Sequence, residues 1–457
     1  MTNDNTGAGE VNTRELILDM LMEICEKGGY SHIVLRQTLR KHQYLDKRDR
    51  AFITRITEGT LENRIYIDYV INQVSNIRVA KMKPLIRNLL RMSVYQVLMM
   101  DSVPASAACN EAVKLAIKRS FGQLKGFVNG VLRAIIRNKD SMKLPNASED
   151  LVEYLHIKYS MPKWIVEQLV IQYGVEDTSR IIKGFLGHDK KICVRMSTAL
   201  DTAENILRKL QEESIKVEKS DIYENALYIS DIDFLENSDA FNEGLISVQD
   251  LSSMLVSVIA DPKEGAVCLD MCAAPGGKSI HLYEMMNRKG HVIARDISDY
   301  KVSLIQENID RTEAYGVEAE VFDATKLDEA MTGRADVVVA DLPCSGLGVI
   351  GKKSDIKYNM TPEKQRELVK LQRNMLDKAW QYVKKGGTLI YSTCTLNKEE
   401  NIENMKYVES KYPMKLVDIS KYVPESLGGG TAKEGYIQML PGIDGLDGFF
   451  ICRFERQ

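Results

Sequence analysis

The sequence predicts a multidomain chain: an all-α domain over residues 1–145, a small α/β connector over 146–245, and a C-terminal α/β domain of the doubly wound kind over 246–457. Three observations predict it. Apolar residues recur at three- and four-residue spacing up to about residue 140; the pattern then turns to mixed helix and strand; and from about residue 246 short apolar runs alternate with helical stretches.

The helical part rests on its spacing. Leu16, Ile17, Met20, Leu21 and Ile24 share one helix face, as do Leu85, Ile86, Leu89, Leu90 and Val94. Gly and Pro are sparse and fall at breaks, as at Pro84 and Pro104. Residues 11–145 carry 23 Lys plus Arg against 12 Asp plus Glu, a net of +11; the remainder carries 38 against 52, which brings the whole chain to −3. A basic domain joined to an acidic body points to a polyanionic partner. Residues 78–91, with five basic side chains and no acid, are the stretch expected to lie against phosphates. A solvated face is the bland alternative.

The connector is read from strands at 191–196, 215–217 and 226–229 and a helix at 203–210. Its own chemistry is not legible. In the last part, strands are expected at 267–269, 291–294, 319–322, 337–340 and 388–391. They are short and nearly all apolar, as in parallel strands buried on both faces, and their alternation with helices is Rossmann-like.

Composition narrows the class. There is no apolar run of eighteen residues, so no membrane helix is expected, and residues 1–5 are polar, unlike a secretion signal. A cytoplasmic monomer is the expectation. The eight cysteines include no C-x-x-C pair and no histidine at ligand spacing, which speaks against a metal and against a disulfide framework.

After the first of these strands comes the loop Cys272, Ala273, Ala274, Pro275, Gly276, Gly277 and Lys278, then a helix. Small residues let the backbone approach a ligand, and a helix start offers free N–H groups. This is neither the dinucleotide G-x-G-x-x-G nor a complete P-loop. Asp296, ending the second strand, is placed to bind a ribose diol, and Asp323, after the third, to accept from an adenine amino group. A nucleoside cofactor follows, its type left open.

The fourth strand ends in Asp341, followed by Leu342, Pro343, Cys344, Ser345 and Gly346; the fifth runs into Thr393, Cys394 and Thr395. Adjacent strand ends share one crevice in an open α/β sheet, so Asp341, Cys344 and Cys394 are expected to face the cofactor. A lone cysteine is more often structural; two at strand ends beside a cofactor loop argue for chemistry. Asn397 is the expected N-cap of the next helix, with Glu400 three residues on. Its positive end would favour a Cys394 thiolate. Such a site suits carbon 5 of cytosine, a poor nucleophile until a thiolate adds to carbon 6 and makes an enamine, while an acid holds N3.

The front of the chain resembles the helical RNA-binding domain of the antitermination factor NusB. The matching residues run from Leu90 to Gln96, then Val103-Pro104, Asn110-Glu111-Ala112-Val113 and residues 127–133. Residues 272–279, Asp341 with 343–346, Asp355-Ile356-Lys357, Thr393-Cys394 and Glu399-Glu400-Asn401 resemble the RNA cytosine-5 methyltransferases of the Sun family. So do residues 247–250 and 447–450. With the NusB-like front, the likeness is to its bacterial 16S ribosomal RNA branch and covers nearly the whole chain.

That resemblance implies S-adenosylmethionine as cofactor, held by the loop 272–278 and by Asp296, Asp323 and Asp341. It implies Cys394 as nucleophile and Cys344 as the residue that assists release. The implied partner is small-subunit ribosomal RNA, naked or partly assembled. The departures are Leu342 for alanine, Leu347 for threonine, a turn at 351–354 without proline, and Tyr358 for tryptophan; they bear on target and affinity rather than on the reaction.

The rival from another class is a non-catalytic RNA-binding assembly factor, which would need neither Cys344 nor Cys394. A DNA cytosine methyltransferase would use a Pro-Cys nucleophile, here Cys344; Thr393-Cys394 and the helical front favour RNA. An amino-group methyltransferase lacks its Asn-Pro-Pro-Tyr here, and a dehydrogenase lacks its fingerprint.

Overall fold

The structure is a computed structural model describing residues 11–186, 191–232 and 234–457. The chain divides into two compact units. One runs to Thr178 and takes in Lys353–Asn359; the other comprises Ser179–Lys352 and Met360–Gln457.

The first unit is helical: α1 (Thr13–Lys27), α2 (Ser31–Lys41), α3 (Lys47–Glu62), α4 (Arg64–Val74), α5 (Pro84–Met99), α6 (Ala105–Lys118) and α7 (Lys125–Asn138) lead into shorter pieces. Local chemistry marks the ends. Asn12 caps α1 by accepting from the Glu15 N–H at 3.1 Å, and the helix stops at Gly28 with φ 78. Pro84 opens α5 at a position where its missing N–H costs nothing. The spaced apolar residues meet as expected: Ile17, Leu21, Leu89, Leu90 and Val94 are fully buried in one core.

The expected phosphate-facing stretch is only half available. Arg78, Lys81 and Lys83 are exposed. Arg87 pairs instead with Glu26, and Arg91 is buried, gripping Asp68 through bonds of 2.8 and 2.7 Å. A buried guanidinium requires such a partner, so Arg91 is spent inside the bundle while the half-buried Arg87 is already paired.

Residues 353–359 fold as part of this unit although they come late in the chain. Asp355 accepts from the Ser31 backbone at 3.3 Å and from its hydroxyl. Lys357 Nζ donates to the Glu62 carbonyl at 2.8 Å, and the Tyr358 hydroxyl to the Leu61 carbonyl at 2.9 Å. These are carbonyls at the end of α3, where the helix has no donors of its own. The Arg64 guanidinium lies 3.5 Å from the centre of the Tyr358 ring.

In the second unit, β1 (Ile192–Met196), β2 (Lys216–Lys219), β3 (Ala226–Ser230) and β4 (Ile246–Val248) form an antiparallel sheet in the order β2-β3-β1-β4. The remaining strands are β5 (Val267–Asp270), β6 (His291–Asp296), β7 (Val317–Val321), β8 (Ala335–Asp341), β9 (Val383–Thr393), β10 (Met414–Leu416), β11 (Tyr436–Met439) and β12 (Phe449–Arg456). They form one sheet in the order β10-β12-β9-β8-β5-β6-β7, with β11 on β12. The pairs among β5 to β9 are parallel, as the alternation predicts. The three added strands are antiparallel and make the sheet mixed, which the reading of strands from apolar runs did not include. No helix among the described residues is long and apolar enough to cross a membrane.

Candidate active site

The sheet reverses its winding between β5 and β8, and a doubly wound sheet opens its crevice at the carboxyl ends of such neighbours. Asp270 ends β5 and Asp341 ends β8; Asp296 ends β6, and Cys394 follows the last residue of β9.

The loop after β5 turns back through Ala273, whose N–H reaches the Arg295 carbonyl at 2.8 Å. Gly276 sits at φ 102, and a Cβ there would press Ile305 at 3.2 Å. Only glycine serves both demands. The Asp296 carboxylate accepts from the N–H groups of Ala274 at 3.0 Å and Ile297 at 2.8 Å, and pairs with Lys301 at 2.9 Å. It therefore ties the loop to β6. Asp323 is held by the Thr325 hydroxyl at 2.6 Å and N–H at 3.0 Å, which keeps its carboxyl below the usual range. A small-residue loop with carboxylates after β6 and β7 fits an adenosyl cofactor, whose ribose hydroxyls and exocyclic amine are all donors.

Behind the loop lies a brace that the sequence reading missed. Arg195, on β1, is fully buried; its Nε donates to Gln249 at 2.9 Å and it pairs with Glu284 on the helix Gly277–Met285. Ser197 also donates to Glu284, at 2.8 Å. Gln249 in turn backs Gly277, where an added Cβ would lie 3.7 Å from it. The small antiparallel sheet thus supports the cofactor helix.

The two cysteines meet. Their Sγ atoms are 3.2 Å apart, one on the loop after β8 and one after β9. Asp341 accepts from Ser392 at 2.7 Å and pairs with Lys278 at 2.7 Å. Lys278 thus turns its ammonium to the strand ends rather than only contributing backbone to the loop. Burial alone would favour its neutral form, but the charges of Asp341, Asp270 and Cys394 keep its pKa above the ordinary value. Asp270 is fully buried; one oxygen accepts from Ser279 at 2.7 Å, and burial pushes its pKa up to about 6.

Cys344 is different from Cys394 in its surroundings. The hydrogen bond to Cys394, burial and the charge of Glu400 push its thiol well above the ordinary value, so it stays protonated. Glu400 is itself buried and accepts from the Ser345 N–H at 2.9 Å, the Ser345 hydroxyl at 2.5 Å and Gln372 at 3.0 Å. The Ser345 and Thr395 hydroxyls lie 2.6 Å apart, which links the two cysteine loops a second time. Gly348 completes the link: its N–H donates to the Cys394 carbonyl at 3.0 Å, and a Cβ there would collide with Gly448 just before β12.

The expected cap is a correction. The helix after Cys394 is Ile402–Lys411 with Asn401 before it, and Asn397 instead accepts from the Glu399 N–H at 3.1 Å within a preceding turn. Glu400 faces Ser345 rather than the helix start. The positive charge near Cys394 comes from Lys278, not from a helix end at Asn397. Nothing local in the sequence marks Glu400 as a partner of Ser345, 55 residues away.

Comparison with known proteins agrees with this layout. Residues 257–455 match the family described as 16S rRNA methyltransferase RsmB/F, residues 11–137 the NusB family, and residues 161–232 the ferredoxin-like domain of RsmF/B-like methyltransferases. A Bacillus subtilis (strain 168) protein named probable ribosomal RNA small subunit methyltransferase B is 36% identical over 451 residues, spanning 98% of this chain and 99% of that one. The Proteus mirabilis (strain HI4320) ribosomal RNA small subunit methyltransferase B is 29% identical, over 86% and 90% of the two chains. Among solved structures, PH0851 superposes with a TM-score of 0.81 at 27% identity over 98% of this chain and 99% of that one. NSun6 from Pyrococcus horikoshii, solved with SFG, does so with 0.58 at 25% identity over 65% and 98%. With its paired cysteines, its braced cofactor loop and its helical front all in place, the chain belongs to the 16S rRNA methyltransferase RsmB/F family and carries a NusB-family domain.

Proposed function

We propose that this protein methylates carbon 5 of a cytosine in small-subunit ribosomal RNA through a transient bond between Cys394 and carbon 6 of the base. The observation that carries the reading is the 3.2 Å approach of two thiols in opposite electrostatic settings. Cys394 has the Lys278 ammonium nearby, whereas Cys344 has the Glu400 carboxylate. A thiolate is the nucleophile and a cation favours it, so Cys394 attacks and Cys344 keeps its proton.

S-adenosylmethionine, when bound, supplies the electrophilic methyl group that carbon 5 accepts. The loop 272–278 with Asp296 and Asp323 would hold it. Asp341, fixed by Ser392 and Lys278, would accept a hydrogen bond from the proton that N3 of the cytosine takes up from water as the Cys394–C6 bond makes the ring electron-rich. Release requires water to take the carbon 5 proton, the C–H electron pair forming the C5–C6 double bond while the Cys394–C6 pair returns to sulfur. Cys344, within hydrogen-bond reach of that sulfur, assists this elimination.

The test is bisulfite mapping of 16S ribosomal RNA from cells with and without the protein. One cytosine should resist conversion only when the protein is present. An unchanged bisulfite pattern, with a new methyl mark found elsewhere by mass spectrometry, would overturn the carbon 5 reading.

A further inference from the structure

We propose that the outer face of α2 and the turn that follows it form the strip by which the helical unit grips single-stranded RNA; the proposal rests on the reading that this protein acts on RNA. Along α2, Arg36 and Arg40 are one helical turn apart, and Lys41 follows. All three are exposed, as are Lys47 and Arg48 at the start of α3. None of the five has an acidic partner among the described residues. Of the neighbouring acids, Asp19 pairs with Arg119 at 2.6 Å, Glu23 with Lys27 at 2.8 Å, and Asp46 caps α3, while Asp49 adjoins Arg48 in the first turn of α3.

Aromatic rings flank this row at both ends. Tyr30 packs against His32 with centroids 6.1 Å apart, and His42 against Tyr44 at 5.9 Å. Tyr30 is 58% exposed and Tyr44 68%. The helix between them is about 16 Å long, which matches a strand of a few nucleotides. Beside it runs a cavity of about 590 Å³ between α1 and α2, lined by Ile33, Val34, Lys41 and His42 on one side and by Leu16, Met20, Asp19 and Glu23 on the other. Unpaired cations for the backbone and rings for stacking are the combination that single-stranded nucleic acid requires.

The alternative basic face, on α7, carries Arg133 and Arg137 with Lys139 just beyond, but no large aromatic side chain there is exposed. It can attract phosphate but offers no ring on which a base can stack. The stretch at 78–91 is weaker still, because Arg87 and Arg91 are already paired.

The experiment uses the full chain and oligouridine, with affinity measured across a salt series. Replacing Arg36, Arg40 and Lys41 by Gln should weaken binding and flatten the slope of log affinity against log salt by about 2. The matching triple variant at Arg133, Arg137 and Lys139 should change both much less. Tyr44→Ala should weaken binding by about tenfold at unchanged slope, with Tyr44→Phe retaining it. Wild-type affinity and slope in the α2 variant, or their loss in the α7 variant, would overturn the proposal. A wild-type protein that binds neither oligouridine nor 16S ribosomal RNA at low salt would be a different failure, that of the RNA reading itself.

Discussion

The sulfur atoms of Cys344 and Cys394 lie 3.2 Å apart across fifty residues of sequence, and the hydrogen bond between them, burial and the Glu400 carboxylate raise the Cys344 thiol. Cys394→Ala should neither methylate nor cross-link to RNA. Cys344→Ala should attack, transfer and then stall as a covalent protein–RNA adduct, seen as a slow band on a denaturing gel. An adduct from the first variant and none from the second would exchange the two roles. Methylation by both without any adduct would end the covalent reading.

Asp296→Ala is expected to weaken S-adenosylmethionine binding by roughly ten- to a hundredfold, since a hydrogen bond to a charged group contributes about 1.5–3 kcal/mol. Because Asp296 also holds the Ala274 N–H, loop 272–278 should loosen in the same variant. Titration calorimetry reads the first effect and amide exchange at Ala274 the second. Unchanged affinity would take Asp296 out of the cofactor site.

Asp270 gives a pH dependence with a definite sign. Its pKa is raised in the folded state to about 6 from the 3.8 of an ordinary aspartate, so the folded form binds the proton more tightly. Stability is therefore highest below about pH 4 as far as this group is concerned, and falls as pH rises through about 6. The full difference is on the order of 3 kcal/mol. Asp270→Asn, which keeps an acceptor for Ser279, should gain on the wild type over that window in urea denaturation. A constant difference between the two from pH 4 to 7 would show that the carboxyl does not titrate there.

Arg195→Met should cost about 3–5 kcal/mol, because it leaves Glu284 buried without its cation. Replacing both Arg195 and Glu284 by apolar residues of similar volume should recover much of that. Denaturant unfolding measures both, and equal losses in the single and double variants would mean that the pair itself is not what holds β1 to the cofactor helix.

The parts of this fold that were legible share a local signal. Val267 to Leu269 and Val337 to Ala340 read as strands because residues buried on both faces are continuously apolar. Leu89 and Leu90 read as core because their period is helical. The illegible parts depend on distant partners. β12 opens on the apolar run Phe449, Phe450, Ile451 and Cys452, yet nothing local says that it lies antiparallel against β9. Arg91 counts toward the basic face until Asp68 is seen beside it. Glu400 looked like a capping residue because capping is a three-residue rule, while its bond to Ser345 spans 55 residues.

The way Lys357 and Tyr358 finish α3 has a consequence for how this protein can be divided. A hydrogen-bonded helix end is ordinarily a domain's own concern. Here residues nearly three hundred positions downstream attend to it, at sequence separations of 295 and 297. A gene fragment encoding the front alone would leave the Glu62 and Leu61 carbonyls to water and open the space that Tyr358 fills. The helical front has become a tenant of the whole polypeptide, and gene fission between its two parts would carry a penalty that free-standing modules escape.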